Sequence, residues 1–151
     1  MVIGSFMLLS LLTLSVNRAI INNMEETYQS ESIIAATTLA QSLMQEVSLK
    51  AFDEKTISGP VDSTGGLTSV VALGRDGEIY PFFDDIDDYK NYTRSDTIAN
   101  GWFRSAVDIQ YVDPTTLNSS GVATFYKKIS VTVIDPLKMN RPITLTNVIS
   151  Y

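Results

Sequence analysis

The chain has 151 residues, a formal net charge of −6, and neither cysteine nor histidine. Its 11 Lys and Arg residues are scattered, which argues against a nucleic-acid partner, because phosphate binding needs clustered bases. Without cysteine there is no disulfide framework or thiolate site. Without histidine the commonest general base and transition-metal ligand is missing, so neither an enzyme nor a cofactor is expected.

Residues 1–52 read as one long α-helix with two unlike halves. Residues 1–16 (MVIGSFMLLSLLTLSV) carry no charge, and the candidate assembly positions are Met1, Phe6, Met7, Leu8, Leu9, Leu11, Leu12, Leu14 and Val16. Gly4 is the only glycine before Gly59, and no proline precedes Pro60, so nothing between them stops a helix. Such a rod would be roughly 75–80 Å long, more than a domain of this size can bury in its own core. Part of it must therefore be covered by a bilayer or by other copies. No Lys or Arg precedes Arg18, so the basic region of a secretory signal is not seen in the chain as given. The apolar run is also shorter than the ~20 residues of a free-standing span. Extension past Arg18 to Ile21, with Arg18 reaching the interface, would supply that length. Both features suit a segment that sits in the membrane and later packs elsewhere; they also suit a chain whose leader has been removed, leaving Met1 exposed by processing.

From Ile33 the helix turns amphipathic. Ala36, Leu39 or Ala40, Leu43, Val47 and Ala51 form a stripe widened by Ile33, Met44 and Phe52, with Thr37, Gln41, Glu46 and Lys50 opposite. The middle, Asn22 to Glu26 and Ser30 to Ser32, is polar, to be solvated or to face neighbours, and Arg18 has Glu25 and Glu26 as possible partners between copies. Ser58-Gly59-Pro60 should end the helix after fraying near residues 53–55. This gives a helical segment over residues 1–53, with 1–16 for a membrane or filament core and 33–52 for packing on a sheet.

Residues 60–151 read as a globular antiparallel β domain. Residues 67–73 (LTSVVAL) are a first apolar run, and residues 78–83, interrupted by Pro81, belong at an edge or in a loop. Three runs are firm strands. Residues 103–112 place Val107, Ile109 and Tyr111 on one face. Residues 122–134 do the same with Phe125, Ile129, Val131 and Val133, opposite Tyr126, Lys128, Ser130 and Thr132. Residues 143–151 alternate Ile143, Leu145, Ile149 and Tyr151 with Thr144, Thr146, Val148 and Ser150. Their connections suit a meander, and the fold class expected is α+β, a long N-terminal helix packed on a C-terminal antiparallel sheet.

This layout resembles a type IV pilin or pseudopilin along the whole chain. Phe83-Asp84-Asp85-Ile86-Asp87-Asp88-Tyr89, followed by Lys90-Asn91-Tyr92, is similar to the FDDVDDY stretch of minor pilins of the mannose-sensitive haemagglutinin pilus. The stretches LAQSLMQE at residues 39–46 and KKISVTV at residues 127–133 resemble the same group. The resemblance implies an extracellular, cell-surface filament of identical subunits, held in the inner membrane before the pilus assembly machinery polymerises them through their apolar helices. The other reading is a single-pass, membrane-anchored surface binding or adhesin domain, although no flexible stalk follows the apolar segment. Ser5 stands where most pilins carry a glutamate, and the customary processing site is not visible. Register then rests on another device, or the numbering does not begin at the mature terminus.

Asp84, Asp85, Asp87 and Asp88 form a dense set of hard oxygen ligands, but their spacing departs from a calcium loop of the EF-hand kind. They read as a solvated acidic loop capping the helix–sheet junction, and no metal site is assigned. Asn91 and Asn118 match the N-x-S/T acceptor pattern and are candidate glycosylation sites. Tyr80, Phe82, Phe83, Tyr89, Tyr92 and Trp102 read as a secondary core or subunit contact.

Overall fold

The computed structural model describes residues 2–99, 101–139 and 141–151, with side-chain surroundings for Met7 and from Leu9 onward. One helix, α1 (Val2–Ser48), runs for 47 residues, about 70 Å at 1.5 Å per residue. Four strands follow: β1 (Thr93–Ile98), β2 (Gly101–Tyr111), β3 (Tyr126–Ile134) and β4 (Ile143–Ser150). They make one sheet in the order β1-β2-β3-β4, with every neighbouring pair antiparallel. The chain is thus α+β, with α1 laid across β2, β3 and β4.

The core is made where the two periods meet. From α1, Ala36, Ala40, Leu43 and Val47 are fully buried, a three- and four-residue spacing that puts them on one side of the helix. Facing them, Phe103, Val107 and Ile109 of β2 and Ile129, Val131 and Val133 of β3 are buried at alternate positions. Ala36 and Ala40 have side chains short enough to let the helix backbone approach the sheet. β4 covers the flank with Ile143, Leu145 and Ile149 half-buried.

Four details differ from the sequence reading. First, α1 stops at Ser48 rather than Phe52, with no glycine or proline to stop it. Instead Ala51 joins the backbone of the acidic loop, donating to the Asp84 carbonyl at 3.1 Å and accepting from the Ile86 amide at 3.0 Å. Asp53 then caps a separate turn of helix, α2 (Glu54–Ile57), in a reciprocal capping box with Thr56. Second, residues 67–73 form no strand. Val70–Ala72 is a 3-10 turn, Leu67 is buried and Val71 is 96% exposed. Third, β1 stands at the sheet edge where no strand was expected, pairing Ile98 with Gly101 across a two-residue connection. Its alternate residues are polar, so the hydrophobic pattern gives no signal. Gly101 has φ +156°, and a Cβ there would collide with Asp135 Oδ2. Fourth, Ser32, placed in the solvated middle of the helix, is fully buried.

Leu43 sits at the centre of the helix–sheet contact. Leu43→Ala should lower unfolding stability by about 2–5 kcal/mol in urea denaturation, with the β-sheet signal at zero denaturant retained.

Candidate functional site

Two regions of the molecule stand out chemically, a bare half-helix and a buried ionic junction. Every residue from Leu9 to Glu31 is exposed, including the apolar ones. Met7, Leu9, Leu11, Leu12, Leu14 and Val16 range from 52% to 66% exposed, and Ile20, Ile21 and Met24 continue the surface. Met1 and the side chains of Phe6 and Leu8, assigned to the same surface, lie outside the described residues. Apolar side chains exposed all round a helix mark a surface meant to be covered. Several hydroxyls among them bond back to their own helix: Ser10 Oγ donates to the Met7 carbonyl at 2.9 Å and Thr13 Oγ1 to the Leu9 carbonyl at 2.6 Å. Thr27 and Ser30 do the same with Asn23 and Glu26, each at 2.8 Å. Hydroxyls bonded back to their own helix enter an apolar environment without leaving a donor unpaired. Among the described residues, no helix is long and apolar enough to cross a membrane.

At the other end of α1 the chain is pinned by Lys127. Its side chain is fully buried, and its ammonium donates to the Phe52 carbonyl at 2.6 Å, to Asp53 Oδ2 at 3.0 Å and to Asp87 Oδ1 at 2.7 Å. Those three acceptors use all three of its protons. The rings of Phe52 and Tyr111 lie 4.5 and 4.9 Å from the same nitrogen and add cation–π attraction. Asp53 is as fully engaged: it also accepts from the Lys55 amide at 3.1 Å, the Thr68 hydroxyl at 2.9 Å and the Thr68 amide at 3.0 Å. The Tyr111 hydroxyl lies 2.9 Å from Asp53 and 2.8 Å from the Thr68 carbonyl, shared between them. Burial works to raise the Asp53 pKa, but the Lys127 charge and these hydrogen bonds outweigh it, and the net shift is downward.

The acidic loop is not solvated. Asp85, Asp87 and Asp88 are each 2% exposed, and only Asp84 faces water. The loop does cap the helix–sheet junction, as expected, because Asp87 reaches Lys127 and Ala51 pairs with Asp85. Burial, with the Asp87 charge adding to it, pushes Asp85 up to about 7. Burial also pushes Asp87 up to about 6, against the pull of Lys127. A cavity of about 300 Å³ bordered by Glu54, Asp76, Asp85 and Asp87 lies beside them. Carboxylate oxygens of Glu78, Asp84 and Asp88 come within 4.8 Å of one another, a spacing at which a hard cation can be held.

Behind this loop, Phe83, Tyr89, Tyr92 and Tyr80 pack ring against ring with centroids 5.0 to 5.8 Å apart. The Tyr89 hydroxyl donates to Glu46 on α1 at 2.8 Å, so Glu46 is an anchor rather than part of a solvated face. Phe83, Tyr89 and Tyr92 are thus part of the main helix–sheet core rather than a secondary one, with Tyr80 at its exposed margin. Phe82 is 76% exposed, and Trp102 sits on β2 beside Arg104. Asn91 and Asn118 are both exposed. The residue that sequence reading missed is Lys127. Alternation along β3 puts it on the same face as Phe125 and Ile129, and a lysine at a core position is itself a sign of a buried partner.

Comparison with protein-family models, with curated proteins and with solved structures finds no match for this chain.

Asp85 and Asp87 hold folded-state pKa values above the 3.8 of a free aspartate, so over that range the folded chain binds protons more tightly than the unfolded one. Their contribution is present in full below about pH 4 and is lost as the pH rises through about 6 and about 7. Asp53 acts in the opposite sense, its contribution being lost as the pH falls through its lowered value. The melting temperature should therefore be several degrees higher at mildly acidic pH than at pH ~8, and Asp85→Asn should flatten that slope. Lys127→Met, which strands two buried carboxylates, should cost about 3–5 kcal/mol at the higher pH and less at the lower, by chemical denaturation.

Proposed function

We propose that this chain is a structural subunit of an extracellular filament of the type IV pilus kind, polymerising through its N-terminal helix. The observation that carries the reading is the exposed, largely apolar surface of residues 9–16, continued by Ile20, Ile21 and Met24, on a helix anchored at its far end in a folded sheet. That surface is uncovered among the described residues, and the Ser10 and Thr13 hydroxyls bond to carbonyls of their own helix. Helices of this kind lose little on leaving lipid for each other, because apolar packing replaces apolar packing and the hydrogen bonds stay within each helix. In this reading the apolar halves of many copies bundle at the centre and the sheets form the outer wall. The subunit is held in the inner membrane until the assembly machinery extracts it. The FDDIDDY loop supports the same reading from the sequence side: it resembles the minor-pilin stretch and here closes the junction that fixes helix to sheet.

Two variants test this by electron microscopy of material sheared from cells. Leu12→Asp should abolish filaments while the sheet stays folded by circular dichroism. Deletion of residues 1–17 should release a soluble, folded fragment that does not polymerise. Normal filaments from either variant would contradict the reading.

A further inference from the structure

The helix that is left bare is almost without charge, and the few charges it has are arranged in a telling way. α1 contains one base, Arg18, and four acids, Glu25, Glu26, Glu31 and Glu46. Glu46 is engaged within the subunit by Tyr89 at 2.8 Å and by Arg94 at 4.0 Å. The other four lie on the exposed half, and none takes part in a salt bridge among the described residues. Pairing along the same helix is closed to them. The residues three and four away from Arg18 are Leu14, Ser15, Ile21 and Asn22, and no base lies within four positions of Glu25, Glu26 or Glu31.

If α1 is buried among its own copies, as in the filament reading on which this inference rests, these charges lose water. A buried charge without a partner is strongly disfavoured, so Arg18 must meet one of the three acids on a neighbour. Arg18 is the sole cation that the helix offers. The acids are seven, eight and thirteen residues further on. Glu26 and Glu31 stand about 100° and about 240° round the axis from Glu25, so the three present a carboxylate in most directions a neighbour can approach from. Bringing Arg18 beside Glu25 or Glu26 of a parallel neighbour requires an axial offset of about 10–12 Å. An antiparallel neighbour making the same contact would set Met7 and Leu11 against Ala36 and Ser32, which the sheet already covers. The parallel arrangement lays apolar half on apolar half.

We infer that Arg18 of one copy pairs with Glu25 or Glu26 of a second copy whose helix is parallel and displaced by about 10–12 Å, and that this pair sets the register of assembly. Apolar contact drives the association, and the ion pair selects one offset among many.

The test uses the full chain expressed in cells, with filament yield scored by electron microscopy and the sheet checked by circular dichroism. Arg18→Glu alone, and Glu25→Arg with Glu26→Arg, should each reduce filaments about tenfold or more, and the three changes combined should restore them. Wild-type yield from the single-site reversals, or no recovery in the combination, would overturn the pairing. Leu12→Asp is run beside them to separate the two ideas. If it blocks assembly while the charge reversals do not, the register pair falls and the filament reading stands. If the unaltered chain forms no filaments, both fall.

Discussion

The structure depends on one buried ammonium. Lys127 enters from the core face of β3 and gathers the Phe52 carbonyl, Asp53 and Asp87 around it, from two segments distant in sequence from each other and from β3. Through Asp53 it holds the chain leaving α1, through Asp87 it holds the acidic loop, and Tyr111 beside it brings in β2. An ion buried this fully is costly to desolvate, and replacing it with apolar groups can be neutral or better for stability. What it provides is geometry. Apolar contacts between Ala36, Ala40, Leu43, Val47 and the sheet tolerate some sliding, whereas three hydrogen bonds from one nitrogen tolerate little.

That fixed attachment gives the exposed half of α1 its meaning. The helix is unbroken from Val2 to Ser48, so whatever holds its last turns also aims its first ones. Residues 9–31 stand free of the sheet and carry apolar side chains to solvent around the helix. A lone chain gains nothing from such a surface. In the proposed filament, copies with the helix rigidly aimed would cover it with one another, and the sparse charges at Arg18, Glu25 and Glu26 would set how they line up. Core, junction and bare helix are three parts of one arrangement in which the sheet serves as a handle.

Much of this was legible in the sequence because it rests on period. The switch from an uncharged run to a 3.6-residue stripe located both halves of α1, and strict alternation located β2, β3 and β4 to within a few residues. What was missed rests on contacts that period does not record. The helix ends at Ser48 because Ala51 finds backbone partners at Asp84 and Ile86 and because Asp53 is needed by Lys127. Neither cause leaves a mark near residue 48. The acidic loop looked solvated because four aspartates ordinarily are; the lysine hidden on the core face of β3 shows why Asp87 is buried, while Asp85 and Asp88 accept from amides of the loop itself. Residues 67–73 have strand-like composition, yet the Thr68 amide is claimed by Asp53 and no partner strand is at hand. β1 lacked an apolar face, so alternation left no mark of it.

The absence of cysteine makes the central claim directly measurable, because any cysteine introduced is the sole thiol in the chain. Two single variants, Leu12→Cys on the bare helix and Val122→Cys on an exposed loop, would be treated with a water-soluble maleimide. Labelling would be compared between membrane-free material sheared from the cell surface and the same material dispersed in detergent. Burial of the helix among its own copies predicts that Leu12→Cys is protected in the sheared material and labelled after dispersal, with Val122→Cys labelled in both. Equal labelling of Leu12→Cys before and after dispersal would contradict it.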